Sequence, residues 1–193
     1  MFPTTVVMVL LSEPLVRVLF ERGAFDAYST TVTSLALTFF TLGLFSFGGT
    51  KILTMSFYAL KDTKTPVKIA VGNLALNTAL NIALMGPMKI GGIALASSIS
   101  SAVGFFALFY FLEKRIGVMS EELVTSVTKI LVASTGAAIV ILVLIKISAG
   151  WDMPELVKLV LMGSAGYFVY GLACVLLKVA QAQRIMKVFI KNG

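Results

Sequence analysis

Histidine is absent from the sequence and cysteine occurs once, as Cys174. Without histidine, the commonest transition-metal ligand and the usual general base are both missing, which excludes a His-based triad or a histidine-ligated metal hydrolase. One cysteine cannot close a disulfide within the chain. Cys174 lies inside an apolar run with no histidine to activate it, so it reads as a small packing residue. Charge is scarce as well: 13% of the residues are charged and 58% are hydrophobic. A soluble globule carries about 25% charged residues to wet its surface, and this chain has too few to cover a water-facing domain. A basic leader is missing too, because residues 1–20 enter apolar sequence at once. So abrupt a start leads us to expect the middle of a longer protein.

What is present is a series of apolar runs, with a mean hydropathy of +0.97 over the chain. They cover residues 3–20, 29–60, 67–86, 91–112, 124–147 and 156–177. Most are close to the ~20 residues that span a roughly 30 Å hydrocarbon layer. The expected fold is therefore all-α, a polytopic membrane helix bundle of about six transmembrane helices. The second run exceeds a minimal span, so it must tilt or bend, and the pair Gly48-Gly49 is the expected kink. Gly86-Pro87-Met88-Lys89 reads as a turn, Trp151 as an interfacial anchor, and the tail from Lys178 to Gly193 as an amphipathic basic segment.

Net charge is +7, but Lys and Arg sit in the short breaks between runs rather than in one patch, which argues against nucleic acid. With six spans the breaks alternate sides. Ten basic residues (Lys61, Lys64, Lys68, Lys114, Arg115, Lys129, Lys178, Arg184, Lys187, Lys191) fall on one side and five (Arg17, Arg22, Lys89, Lys146, Lys158) on the other. Positive residues collect in the cytoplasm, so both chain ends are predicted to be cytoplasmic.

Four features interrupt the apolar pattern. Lys51 lies within the second run, either facing a water-filled cavity that attracts an anion or snorkelling to the interface. Asn73, Asn77 and Asn81 are each four apart and form one polar stripe on the third helix. Such a stripe cannot face lipid; it hydrogen-bonds between helices or offers amide oxygens to a hard cation. The fourth run opens with small residues over 91–101, among them Gly91-Gly92, Ser97-Ser98 and Ser100-Ser101, which let helices approach closely. Ser97, one turn on from Ile93, is a candidate to share a site with the asparagines. The fifth and sixth runs are almost wholly apolar, with Gly163, Gly166 and Gly171 marking close contact or a lipid-facing role.

At these residues a resemblance emerges. Residues 13–25 (EPLVRVLFERGAF), Lys51-Ile52-Leu53, Phe57-Tyr58-Ala59 and residues 62–68 (DTKTPVK) resemble motifs of the MurJ/MviN family in the same order. The likeness continues through residues 77–81 (NTALN), Gly86-Pro87 and residues 92–98 (GIALASS), covering about residues 1–115. It implies a lipid II flippase of the bacterial inner membrane, within the multidrug/oligosaccharidyl-lipid/polysaccharide exporter superfamily. By that likeness the chain corresponds to helices nine to fourteen of a fourteen-helix protein. Residues 1–115 would be the last four helices of the second lobe and 116–178 a final pair forming a lipid-tail groove. Residues 179–193 would be a cytoplasmic basic tail.

The implied partners are an undecaprenyl-pyrophosphate saccharide, membrane lipids and an N-terminal lobe of the same protein. Lys51 and Asn73 would line the substrate cavity. The resemblance also implies a sodium site at Asn77, Asn81, the Ile93 backbone carbonyl and the Ser97 hydroxyl, completed by an acid from an earlier helix. The position held by Asn81 is acidic in sodium-binding members of the family. No covalent chemistry or other cofactor is implied. Two alternatives stay open: an exporter of another polyprenyl-linked saccharide or of a drug, and a small membrane scaffold subunit that transports nothing.

Overall fold

A computed structural model describes residues 1–117, 121–148, 150 and 153–177. Every regular element among the described residues is an α-helix: α1 (Phe2–Leu10), α2 (Ser12–Phe20), α3 (Ala27–Leu42), α4 (Leu44–Ala59), α5 (Lys64–Ile116), α6 (Glu121–Ser148) and α7 (Glu155–Leu176). Trp151 and the basic tail lie outside the described residues. Four helical stretches are long and apolar enough to cross a membrane, and α1 with α2, taken as one broken span, makes a fifth.

The sixth passage is hidden in α5. At 53 residues a straight helix would be about 80 Å long, far beyond the bilayer. The backbone instead leaves the helical region at Lys89 (φ 50°, ψ −129°), and the two arms, 64–88 and 90–116, fold back on each other. Their pairing is antiparallel. Asn77 Nδ2 donates to Ser100 Oγ at 2.9 Å, Ile69 packs on the cluster that includes Leu108 and Leu112, and Asp62, just before the first arm, meets Arg115 at the end of the second at 2.8 Å. The expected turn at residues 86–89 thus narrows to Lys89, because helical geometry persists through Pro87 and Met88. Gly92 makes so sharp a reversal possible, since a Cβ there would collide with the backbone carbonyl of Leu84.

The expected kink at Gly48-Gly49 is not found, since both lie within α4, and the helix is interrupted instead at Gly43, between α3 and α4. The cause is a tertiary hydrogen bond. Ser98 Oγ donates to the Phe39 carbonyl at 2.6 Å, the oxygen that the Gly43 N–H would take in an unbroken helix. Gly43 N–H turns to the Phe40 carbonyl at 3.2 Å instead. A side chain entering the i→i−4 ladder is a standard cause of a helix break. Gly48 and Gly49 remain inside α4, where Gly49 lies against Phe105 of the second arm of α5.

Local chemistry sets the helix starts. Asp26 caps α3 by accepting from Ser29 N–H at 2.9 Å, and that bond holds its carboxyl below its ordinary pKa. Asp62 accepts from the Thr65 hydroxyl at 2.6 Å and from the N–H groups of Thr65 and Lys64 at 3.1 Å. The Thr65 hydroxyl bond is the main cause of the lowered pKa of Asp62. Gly117 closes α5 in the left-handed conformation (φ 61°), its N–H on the Glu113 carbonyl.

The chain divides into two compact units. In one, α3 and α4 pack on both arms of α5 around Leu53, Phe57, Leu108 and Leu112. In the other, α1 packs on α6 and α7 through Leu11, Ile141 and Met162, and Tyr167 donates to Thr4 Oγ1 at 3.1 Å. Cys174 is buried there against Ala133.

Candidate functional site

The first unit holds a partly open cavity of about 480 Å³ between α4 and the two arms of α5. Three helix faces build it. Phe47, Thr50, Lys51 and Thr54 recur at the spacing of one face of α4. The first arm contributes Pro66, Ala70, Asn73 and Asn77, and the second Ser97, Ser100, Ser101 and Gly104. The space exists because the second arm offers only small residues opposite the asparagines. At Gly104 even a Cβ would stand 3.1 Å from Asn73 Nδ2.

Of the residues lining this cavity, Lys51 alone is charged. Its side chain is exposed and takes part in no ion pair among the described residues. Thr50 Oγ1 and Asn73 Oδ1, both on the lining residues, are buried without a hydrogen-bond partner. An unpartnered acceptor away from water costs about 1–3 kcal/mol, so these oxygens call for a donor that the described residues do not supply. The cavity thus combines one cation, two open acceptors and a row of hydroxyls inside an otherwise apolar bundle.

The sequence-derived candidates separate into two groups. Lys51, Asn73, Asn77 and Ser97 line the cavity together. Asn81 and Ile93 do not. Asn81 lies one turn nearer the Lys89 reversal and donates from Nδ2 to Asn77 Oδ1 at 3.0 Å, and the Ile93 side chain is exposed. Asn77 pairs with Ser100, whose hydroxyl in turn donates to the Ser97 carbonyl at 3.1 Å. In the sequence Ser100 reads only as a small packing residue, and Thr50 carries no signal. Ser100 lies one turn from Ser97, a spacing that could have flagged it.

At the two ends of this unit, polar contacts tie together segments that alternate in the chain. Lys89 Nζ donates to Tyr28 OH at 3.0 Å, joining the reversal of α5 to the start of α3. Asp62 and Arg115 join the opposite ends. The break before α3 and the reversal at Lys89 therefore lie at one end of this unit, and the break at Asp62 and the end of α5 at the other.

A family model described as lipid II flippase MurJ matches residues 1–162. A probable lipid II flippase MurJ from Rickettsia prowazekii is 40% identical over 113 residues, covering 58% of this chain and 22% of that protein. Another from Rhizobium tropici is 36% identical over 150 residues, covering 78% of this chain and 28% of that one. A solved structure of lipid II flippase MurJ in an inward closed conformation matches with a TM-score of 0.78 at 25% identity, covering 96% of this chain and 36% of that chain. The chain spans less than two fifths of the length of each of these relatives. With its all-helical multi-pass architecture matched over nearly its whole length, and the family model over residues 1–162, this chain belongs to the lipid II flippase MurJ family.

Proposed function

We propose that this chain forms the carboxy-terminal part of a flippase that carries a lipid-linked peptidoglycan precursor across the bacterial inner membrane by alternating access. The observation that carries the proposal is the cavity of the first unit, with Lys51 as its sole charge and open acceptors at Thr50 and Asn73. A polyprenyl-pyrophosphate saccharide has the complementary chemistry: phosphate for the ammonium, and hydroxyl and amide donors for the open oxygens. The cavity is partly open, and an N-terminal lobe of the same protein would complete it.

Residues 1–115 belong, in this reading, to the second lobe of the transporter and 116–178 to a final pair that holds the polyprenyl tail. Support comes from a groove of about 540 Å³ along α7, lined by Tyr167, Phe168, Gly171, Leu172, Val175 and Leu176. An almost wholly apolar lining suits an isoprenoid chain and offers nothing to a phosphate. The ten-to-five sorting of basic residues supports cytoplasmic chain ends.

Reconstitution of the full-length protein in vesicles tests the function. Lipid II placed in one leaflet should become accessible in the other, and neither a cationic drug nor a polyprenyl-linked saccharide lacking the peptide should be moved at a comparable rate. Equal movement of all three would favour a broader exporter, and movement of none a non-transporting subunit.

A further inference from the structure

The sodium site implied by family likeness rests on Asn77, Asn81, Ile93 and Ser97, and the two asparagine amides found there are already bonded to each other. Asn81 Nδ2 lies 3.0 Å from Asn77 Oδ1, so an N–H already points at the lone pair a cation would use. Asn77 Nδ2 donates to Ser100 Oγ at 2.9 Å, and the Ser100 hydroxyl donates to the Ser97 carbonyl at 3.1 Å. Four residues on two antiparallel arms are thus joined in one directed chain, each donor feeding the next acceptor. Reversing both amides reverses the direction of the chain without freeing Asn77, whose oxygen would then take the Ser100 hydroxyl.

The one amide oxygen left open in this group is Asn81 Oδ1, buried and neutral. Hard cations are held by several oxygens that include carboxylates. Among the described residues no group of three or more His, Cys, Asp or Glu could hold a metal. An acid reaching in from another helix would meet a neutral amide where the sodium-binding arrangement has a second negative charge. The donor set does not fit the ion.

We infer that this chain has exchanged a cation site for a hydrogen-bond chain: the Asn81 amide occupies the Asn77 oxygen that sodium would use, and the Asn77 amide, held by it, ties the two arms of α5 together through Ser100 with no ion bound. Both arrangements do the same mechanical work, which is to cross-link the arms midway along their length. They differ in dependence on the medium. A cation-bridged hairpin loosens when sodium is removed, whereas the amide-bridged hairpin is indifferent to it.

Thermal unfolding of the full-length protein in detergent, in sodium or potassium chloride at equal ionic strength, tests this. The wild type should melt at the same temperature in both salts. Asn81→Asp restores the negative ligand and removes the competing N–H, so it should gain a sodium-specific rise of about 2 °C or more at saturating ion. Asn81→Ala removes the amide without offering a ligand and should melt lower, equally in both salts. A sodium-specific rise in the wild type would overturn the inference. So would a folded Asn81→Asp protein as indifferent to sodium as the wild type. If Asn81→Asp does not fold, the wild-type comparison and Asn81→Ala still decide.

Discussion

Replacing Lys51 by alanine in the full-length protein is expected to lower lipid II translocation by about 10- to 100-fold, with expression and melting temperature unchanged. The size follows from the bond removed. A hydrogen bond to a charged group contributes about 1.5–3 kcal/mol, and each 1.4 kcal/mol is a factor of about ten. Stability should hold because the Lys51 side chain is exposed and pairs with no acid among the described residues. Lys51→Arg keeps the charge and should retain much of the activity, although a planar guanidinium meets a phosphate with different geometry. Full activity in Lys51→Ala would return Lys51 to a snorkelling role at the interface.

The largest loss of stability is expected at Gly43. A Cβ at this position would stand 2.9 Å from the Ser98 Cα, and a backbone neighbour cannot swing aside. Gly43→Val therefore forces α3 and α4 away from the second arm of α5 and stretches the hydrogen bond from Ser98 to Phe39. Overpacking of this kind costs about 1–3 kcal/mol, and the lost interhelical bond adds about 1 kcal/mol. Together these correspond to a drop of about 8–16 °C in Tm for a unit of this size. Ser98→Gly removes both the bond and the obstructing side chain. Combined with Gly43→Val it should recover part of the loss, and the recovery measures the steric share. A Gly43→Val protein that melts with the wild type would show that the close approach is dispensable.

Sequence periodicity was a good guide wherever one helix decides the outcome. The apolar runs become helices, the asparagines share a face, and the alternating breaks meet pairwise through Tyr28 with Lys89 and Asp62 with Arg115. What escaped was set by contacts between helices. No local signal prefers Gly43 to Gly48 or Gly49 as the break; the choice is made by Ser98, from another helix. The partner of Asn77 depends on where the hairpin reverses. With the reversal at Lys89, the Ser100 hydroxyl arrives opposite Asn77. The packing of α1 on α6 and α7 joins segments more than a hundred residues apart, and hydropathy carries no information about which apolar faces meet. The open acceptors at Thr50 and Asn73 are legible only once three helices have been placed around them.

Photo-crosslinking most directly tests whether the cavity of the first unit receives the charged headgroup. The probe is lipid II with a diazirine on its headgroup, applied to full-length protein with a single tagged cysteine at the position examined. Ala70 lines the cavity and is exposed to it, while Val143 is exposed on α6, in the pair proposed to hold the tail. Peptide mapping after irradiation should place the headgroup adducts around Ala70→Cys and leave the segment around Val143→Cys unmodified, and excess unlabelled lipid II should abolish the signal. Headgroup adducts concentrated on α6, with the Ala70 segment unmodified, would contradict the assignment of this cavity to the headgroup.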